Sequence, residues 1–239
     1  MDQKTVLITG ANSGIGLATA KKFLKNEYLV FANYHKSNYN LLKLNNKNII
    51  TTQGDLTQPV EIENLIKFCL SKRNRLDILI NNAAVQITSD SIEDIDLVSY
   101  EYVMALNIRA PYILSQLVMQ QMKKQHHGRI INISSIGVKY GGNPVSATYT
   151  ISKAALEAMT LSFAKAGAPF NFFVNAVRAG ITDTNFLKHN PKKDLKKRVQ
   201  LIPLRRLGEP SEIANTIYFL SSEESSYTTG SIITVAGGD

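Results

Sequence analysis

A glycine-rich turn between an apolar strand and an amphipathic helix is the segment that most constrains how this chain can fold. Residues 4–9 read KTVLIT, a β-branched run typical of a buried strand, and after residue 16 Ala20, Phe23 and Leu24 recur at helical spacing. The turn between them, residues 9–16, reads TGANSGIG. A glycine cluster alone can be explained as readily by the steric needs of a tight turn. A strand before it and a helix after it predict a binding site for a dinucleotide.

Each glycine of the turn has its own expected role. Gly10 permits a tight reversal, Gly14 lets the backbone approach a diphosphate, and Gly16 lets the helix pack closely on the strand. The diphosphate is then expected at the helix N-terminus, where unpaired N–H groups favour an anion. The predicted cofactor contacts of this turn are Gly10, Asn12, Ser13, Gly14, Ile15 and Gly16.

Strand and helix patterns alternate along the rest of the chain. Such alternation predicts an α/β fold, a Rossmann-type doubly wound parallel sheet of about seven strands, covered by helices on both faces. No repeat or composition shift marks a boundary, so we expect a single domain over residues 1–239. Strands are predicted near residues 4–9, 28–34, 48–53, 76–81, 129–134, 170–177 and 231–235.

Composition excludes several classes of protein. No apolar run approaches the ~20 residues of a membrane span, and the chain enters its first strand too early for a signal peptide, so we expect a cytoplasmic protein without a membrane partner. Cys69 is the only cysteine, which excludes an internal disulfide. The histidines at 35, 126, 127 and 189 have no companions at metal-ligand spacing, and we expect no metal.

Tyr149 and Lys153 form a second motif, within the segment YTISK. Residues four apart share one face of a helix, so the Lys153 ammonium can lie beneath the Tyr149 phenol. A neighbouring ammonium favours phenolate, and we therefore expect a lowered phenol pKa suited to acid/base chemistry. On an exposed helix the same spacing is common and carries no function.

Five features of the chain together resemble the classical short-chain dehydrogenase/reductase family. They are the G-x-x-x-G-x-G spacing, the segment NNAA at 81–84, Asn107 in ALNIRAPY, the Tyr149 and Lys153 pair, and the closing segment from RRLGEP to VAGGD. The resemblance spans essentially the whole chain. It implies hydride exchange between a nicotinamide and a carbonyl or alcohol, with Tyr149 as the acid/base.

The resemblance also implies roles for further residues. Ser135 would orient the substrate carbonyl, with Ser134 as the competing assignment, and Asn107 would complete a proton relay from Lys153 through water. Asp55 would contact adenine, although an Asp before Leu-Thr can equally cap a helix. The remaining implied cofactor contacts are Tyr34, His35, Lys36, Ser37, Leu56, Asn82, Ala83, Ala84, Tyr149, Lys153, Gly180, Ile181 and Thr184.

Three positions depart from the family pattern. Ala84 replaces a glycine, and Ala179 stands where proline is usual, which predicts a looser or reshaped nicotinamide turn. Phe170 occupies a position that is often basic in carrier-protein reductases, which weakens the case for a carrier-bound substrate.

The end of the second strand bears on the choice of cofactor. Residues 32–37 read ANYHKS, with no acidic residue to bind ribose hydroxyls and repel a phosphate. Lys36, Ser37 and His35 can meet a 2′-phosphate, so NADP(H) is favoured, with NAD(H) as the alternative. Two observations argue against NADP(H). Ser13 stands at a position that is often basic in NADP-using members of the family, and Lys36 can be a solvated loop residue.

The formal charge of +8 includes a basic cluster in the region 183–205, where the family places its substrate lid. We interpret the cluster as a solvated lid helix, ahead of a surface for an acidic carrier or phosphorylated substrate. Nucleic-acid binding ranks last, because the chain has no nucleic-acid-binding module. The cluster comprises Lys188, Lys192, Lys193, Lys196, Lys197 and Arg198, with Arg205 and Arg206 nearby.

The closest general resemblance is to 3-oxoacyl carrier-protein reductases, through residues 33–37 and the passage IPLRRLGEP. A dehydrogenase of a sugar, polyol or steroid-like alcohol is the enzymatic alternative, and a non-catalytic nicotinamide-sensing protein or a scaffold is the other class. Val138, Tyr140, Val145 and Phe186 are expected to line the substrate pocket. Helices near 96–123 and 148–166 are the predicted interface of a homotetramer or homodimer.

Overall fold

The computed structural model describes residues 3–188 and 195–239. In this part of the chain seven parallel strands form one sheet, in the order β3-β2-β1-β4-β5-β6-β7. The strands are β1 (Thr5–Ile8), β2 (Leu29–Tyr34), β3 (Ile49–Gln53), β4 (Ile78–Asn81), β5 (Gly128–Ser135), β6 (Phe172–Ala179) and β7 (Ile232–Val235).

Helices cover both faces of the sheet. The longer ones are α1 (Gly14–Lys25), α3 (Pro59–Lys72), α4 (Leu97–Met104), α5 (Ala110–Gln125), α6 (Ala147–Gly167) and α9 (Pro210–Ser221). Shorter helices are α2 (Tyr39–Leu42), α7 (Asn185–Lys188) and α8 (Leu195–Leu201), and a π-helical turn (Ala105–Arg109) joins α4 to α5. No helix among the described residues is long and apolar enough to cross a membrane.

The sheet is buried on both faces, as its β-branched strands predict. Side chains of β1 alternate between two cores: Leu7 packs with residues of α3, α5 and α6, while Val6 and Ile8 pack with residues of α1 and α9. All three side chains are fully buried. The central strands are therefore mostly apolar, and buried polar side chains within them, such as Asn132 and Asn175, are hydrogen-bonded.

Strand order reverses between β1 and β4, which are neighbours although β2 and β3 lie between them in the chain. The crossovers that leave these two strands run to opposite faces, and this opens a crevice at their carboxyl ends. The glycine turn follows β1 and the segment NNAA begins at the end of β4, so the fold brings both motifs to the crevice.

The predicted fold class is confirmed, and the strands lie within two residues of their predicted limits. The largest shift is in β6, which was predicted at 170–177 and occupies Phe172–Ala179. A 3-10 turn (Ala168–Phe170) precedes it, and Asn171 has a left-handed φ of 56°. These residues therefore end the preceding helix and turn the chain before the strand begins.

Candidate active site

A cavity of about 840 Å³ lies at the carboxyl ends of the strands. It is lined by most of the residues predicted from sequence. Those residues are Gly10, Ser13, Gly14, Ile15, His35, Lys36, Asp55, Leu56, Asn82, Ala83, Ala84, Ser135, Tyr149, Lys153, Gly180, Ile181 and Thr184.

The glycine turn has no room for side chains. Gly10 has a φ of +62°, and a Cβ there would lie 3.0 Å from Ala83 Cα. A Cβ on Gly16 would lie 2.4 Å from Gly10 O and 2.6 Å from Asn82 Nδ2, so this glycine allows the start of α1 to pack on β4. The turn is thus held in one shape by close backbone contact.

The N-terminus of α1 opens onto the cavity without a competing acceptor. Its N-cap residue Ser13 makes no side-chain capping bond, and the first turn holds no acidic residue. Unpaired N–H groups at a helix N-terminus attract an anion, and Gly14 lets that anion approach the backbone. This arrangement fits the diphosphate of a dinucleotide.

Asn82 and Thr9 tie the turn to β4. Asn82 Nδ2 donates to Thr9 O at 2.8 Å and to Gly10 O at 3.1 Å. The Thr9 hydroxyl in return accepts from the N–H groups of Asn82 at 2.9 Å and Ala83 at 3.0 Å. Asn82 therefore shapes the cofactor turn in addition to lining the cavity.

Four predicted cofactor residues do not line the cavity: Asn12, Gly16, Tyr34 and Ser37. Asn12 lies in the turn, but its Oδ1 accepts from the N–H groups of Asn40 at 3.0 Å and Leu41 at 3.2 Å. Its side chain therefore fastens the loop after β2 to the glycine turn. The predicted contact of Asn12 with the cofactor stays a prediction for the rest of the residue.

Tyr149, Lys153 and Ser135 meet at the centre of the cavity. Tyr149 and Lys153 lie one turn apart on α6, with Lys153 Nζ 5.7 Å from the centre of the Tyr149 ring. Ser135, the last residue of β5, lies near enough to the Tyr149 phenol to lower its pKa, and its Oγ accepts from Gly137 N–H at 3.2 Å. The grouping of these three residues agrees with the sequence prediction.

The titration of the pair differs from the prediction. Burial raises the pKa of Tyr149 to about 12, against a hydrogen bond from Ser135 that lowers it. Burial also lowers the pKa of Lys153 to about 7, although its Nζ donates to Ile133 O at 2.7 Å. The expected lowering of the phenol pKa was wrong for the protein by itself, because desolvation of the buried phenol outweighs the effect of Ser135.

The two adjacent serines have different surroundings. Ser134 is 2% exposed and donates to Glu157 Oε1 at 2.6 Å, so its hydroxyl is occupied by a carboxylate below the cavity. Ser135 is half-buried and its hydroxyl faces the phenol. Of the two assignments that sequence left open, the geometry favours Ser135 as the residue that touches a substrate.

Asn107 is fully buried in the π-helical turn and does not line the cavity. Its Oδ1 accepts from Val85 N–H at 2.9 Å, and its Nδ2 donates to Val85 O at 2.8 Å and to Ser152 Oγ at 3.0 Å. The side chain thus has a specific bonding role, as an asparagine within a helix suggests. These bonds hold the segment after β4 against α6, and the relay through water stays a prediction.

One end of the cavity suits an adenosine group. Asp55 lines it but does not cap α3, since its Oδ1 accepts from Thr57 N–H at 2.9 Å and Thr57 Oγ1 at 2.8 Å. His35 and Lys36 lie at the same end, where β2 offers no acidic residue. Asn33, which sequence analysis missed, also lines this end and keeps a buried Nδ2 without a hydrogen-bond partner.

At the nicotinamide end, Ala179 replaces the usual proline and extends β6. It pairs with Ser135 of β5 on one side and Val235 of β7 on the other. Gly180 follows in close contact, since a Cβ there would lie 2.6 Å from Ala236 Cα. Strand pairing therefore continues to Ala179, and a looser or reshaped turn stays a prediction.

Two of the four residues predicted to line the substrate end of the cavity do so. Tyr140 and Phe186 line it, with the Phe186 ring 5.8 Å from that of Tyr149, whereas Val138 and Val145 do not. Sequence analysis missed several further lining residues, which carry no motif. These are Gln86, Tyr102, Leu106, Asn143, Ser146, Thr150, Leu187 and Leu201.

The basic cluster is only partly described. Lys192, Lys193 and the rest of residues 189–194, which belong to the predicted lid, lie outside the described residues. In α8, Lys197 and Arg198 line the cavity, and Arg198 forms an ion pair with Asp239. Part of the cluster therefore belongs to the site.

Comparisons with known proteins agree with this geometry. A family model described as "Enoyl-(Acyl carrier protein) reductase" matches residues 10–239. Among curated relatives, an "Uncharacterized oxidoreductase" of Thermotoga maritima is 36% identical, covering 98% of this chain and 96% of its own. The 3-oxoacyl-[acyl-carrier-protein] reductase FabG of the same organism is 35% identical, covering 100% and 98%, and that of Rickettsia felis is 38% identical, covering 98% and 96%.

Solved structures show the same fold. "ElxO with NADP Bound" superposes with a TM-score of 0.90 at 29% identity, covering 99% of this chain and 98% of its own. YwfH, described as an NADPH-dependent reductase involved in bacilysin biosynthesis, gives a TM-score of 0.91 at 25% identity, with the same coverage. With the glycine turn, the serine, tyrosine and lysine cluster and these matches, the chain belongs to the short-chain dehydrogenase/reductase family of nicotinamide-dependent oxidoreductases.

Proposed function

We propose that this protein is an NADP(H)-dependent ketoreductase that reduces a 3-oxoacyl or related ketone to a secondary alcohol. The observation that carries the proposal is the convergence of Ser135, Tyr149 and Lys153 on one cavity with the glycine turn. The curated relatives named as 3-oxoacyl-[acyl-carrier-protein] reductases support the substrate class.

The residues divide the chemistry among them. A bound nicotinamide supplies or accepts a hydride, and Tyr149 gives the substrate oxygen its proton during reduction and removes it during oxidation. Ser135 donates a hydrogen bond to the same oxygen and stabilises the charge that develops there. A phenol whose pKa is raised carries its proton at neutral pH, which is the form that the reductive direction requires.

Lys153 supports the phenol from below. With a pKa of about 7, the Lys153 amine is half protonated at pH 7 in the protein without cofactor. Developing phenolate and the cofactor's phosphates add negative charge nearby, which favours the ammonium form. In the catalytic cycle Lys153 therefore acts as the charged partner of the phenol, and Asn107 keeps α6 and the segment after β4 in place around it.

NADP(H) is the proposed cofactor. Lys36 and His35 present positive or neutral polar groups to the adenosine end, and no acidic side chain follows β2 to repel a 2′-phosphate. The neighbours named for NADP and NADPH use are consistent with this choice. NAD(H) is the alternative, and a comparison of the two dissociation constants decides between them.

The test is a reduction assay. Purified protein with NADPH or NADH is offered β-keto esters, 3-oxoacyl thioesters, diketones and sugars, and the nicotinamide absorbance is followed. We expect oxidation of NADPH with 3-oxo substrates, and a Tyr149→Phe variant that binds NADPH but turns over about 10²- to 10⁴-fold more slowly. Equal turnover by this variant would refute the assignment. Turnover of sugars or polyols alone would favour the dehydrogenase alternative.

A carrier-bound substrate and self-association are parts of the same proposal. Lys197 and Arg198 line the cavity, the latter paired with Asp239, and this basic character supports an acidic carrier. Exposed Tyr112 on α5 and Ile151 on α6 support a homodimer or homotetramer, as do Tyr100 and Leu161. Light scattering tests the oligomer, and a cytoplasmic location remains part of the proposal.

A further inference from the structure

A buried ionic cluster of Ser134, Glu157 and Arg178 lies directly below the catalytic groups. Glu157 accepts from Ser134 Oγ at 2.6 Å, from Arg178 Nε at 2.9 Å and from Arg178 Nη2 at 2.6 Å. The carboxylate is 8% exposed and the Arg178 side chain 20% exposed. A carboxylate held by three donors with good geometry is fixed in position, because each of its bonds restrains the others.

Each member of the cluster is next to a residue of the active site. Ser134 precedes Ser135 on β5, and Arg178 precedes Ala179 and Gly180 at the end of β6. Glu157 follows Lys153 by one turn of α6. The cluster thus joins the three elements that supply the carbonyl-binding serine, the tyrosine and lysine, and the nicotinamide turn.

The contacts between β5 and α6 form a continuous series. Lys153 Nζ donates to Ile133 O and Ser134 Oγ donates to Glu157, while Ser135 lies near enough to the Tyr149 phenol to lower its pKa. Successive strand residues therefore reach three positions along one helix. Within the sheet, Ser134 and Arg178 are register partners, so both sides of the β5 and β6 pair are tied to the same carboxylate.

We propose that Glu157 is a positioning residue for hydride transfer: by binding Ser134 and Arg178 it sets the distance between the Ser135 hydroxyl on β5 and the Tyr149 phenol on α6. A buried pair of this kind adds little net stability, because the cost of desolvation offsets the attraction. Its value here is the alignment of reacting groups, where displacements of about 1 Å can cost about a hundredfold in rate. The proposal rests on the oxidoreductase activity proposed above.

The test compares variants matched in burial and charge. Glu157→Gln keeps an acceptor for Ser134 but turns an amide N–H toward Arg178, and Ser134→Ala removes one hydroxyl and keeps the ion pair. The control is Asp77→Asn at the opposite end of the sheet, where a fully buried carboxylate accepts from Thr5 N–H at 2.8 Å and pairs with Arg75. It loses a buried charge pair of the same kind far from the catalytic groups.

We expect Glu157→Gln and Ser134→Ala to lower kcat by about tenfold to a hundredfold, while KM and the Kd for NADPH stay within about threefold. Asp77→Asn lowers the melting temperature but leaves kcat unchanged. With ¹³Cζ-labelled tyrosine, the Tyr149 signal, assigned by its loss in Tyr149→Phe, shifts in the two site variants and not in the control. Melting curves confirm that each protein is folded at the assay temperature.

The outcomes separate the two proposals. Failure of the unsubstituted chain to oxidise NADPH with any substrate refutes the proposed function, and the ¹³C comparison then decides the positioning role by itself. Unchanged kcat and an unchanged Tyr149 signal in folded Ser134→Ala and Glu157→Gln overturn the positioning role. Equal loss of kcat in Asp77→Asn also overturns it, because the effect would then follow stability alone.

Discussion

Lys153 makes the stability of this protein depend on pH in a direction that can be calculated. Its pKa is lowered by burial from 10.5 to about 7, whereas the unfolded chain keeps the ordinary value. Between these two values the folded state binds fewer protons than the unfolded state, so the free energy of unfolding rises with pH. The contribution is present at high pH and is lost as pH falls through about 7.

The size of the effect follows from the same two values. Each pH unit in which only the unfolded chain holds the proton is worth about 1.4 kcal/mol. From pH 7, where Lys153 is half protonated in the folded state, to about pH 9, the gain is about 2 kcal/mol. A Lys153→Met variant removes this term and keeps a side chain of similar length.

Urea unfolding of both proteins at several pH values measures the term. Groups other than Lys153 titrate in both proteins and cancel, so the stability of the unsubstituted chain relative to Lys153→Met should increase by about 2 kcal/mol between pH 7 and about pH 9. Tyr149→Phe is the control, because the pKa of Tyr149 lies above this range and the variant should run parallel to the unsubstituted chain. A difference that stays constant with pH would refute the reasoning, since Lys153 would then be charged throughout.

Other changes have equally definite outcomes. Gly16→Ala forces a Cβ to within 2.4 Å of Gly10 O and should cost about 1–3 kcal/mol in urea unfolding, with weaker NADPH binding. An unchanged midpoint would contradict the close packing of the turn. Ser135→Ala should lower kcat by about 10²-fold with an unchanged Kd for NADPH, and a change in Kd alone would point to a binding role. Lys36→Ala should raise the Kd of NADPH by about tenfold and leave that of NADH unchanged, whereas equal effects would exclude contact with a 2′-phosphate.

The fold could be predicted because its signals are local. Buried parallel strands need β-branched runs and the crossovers need amphipathic helices, so the alternation is visible in the sequence. The start of β6 could not be predicted as well, because the left-handed Asn171 and the turn before it depend on how α6 ends against the sheet. Periodicity does not contain that information.

Site residues could be predicted where a sequence motif places them. Properties that depend on how side chains pack could not be predicted. The spacing of Tyr149 and Lys153 placed both on one helix face, but the direction of the phenol pKa depends on burial, which no motif encodes. The choice between Ser134 and Ser135 needed the position of Glu157. Its helical spacing from Lys153 was a signal in the sequence that pointed to the same side of α6.

The hydrogen bonds between Thr9 and Asn82 connect nucleotide binding to the stability of the sheet. They cross the boundary between the first half of the sheet, which begins with β1, and the second half, which begins with β4. A nucleotide bound at the glycine turn should therefore stabilise the contact between the two halves, because a ligand that binds only the folded state raises its stability. Amide protons along β1 and β4 should exchange more slowly with solvent when the nucleotide is bound, and the outer strands should respond less.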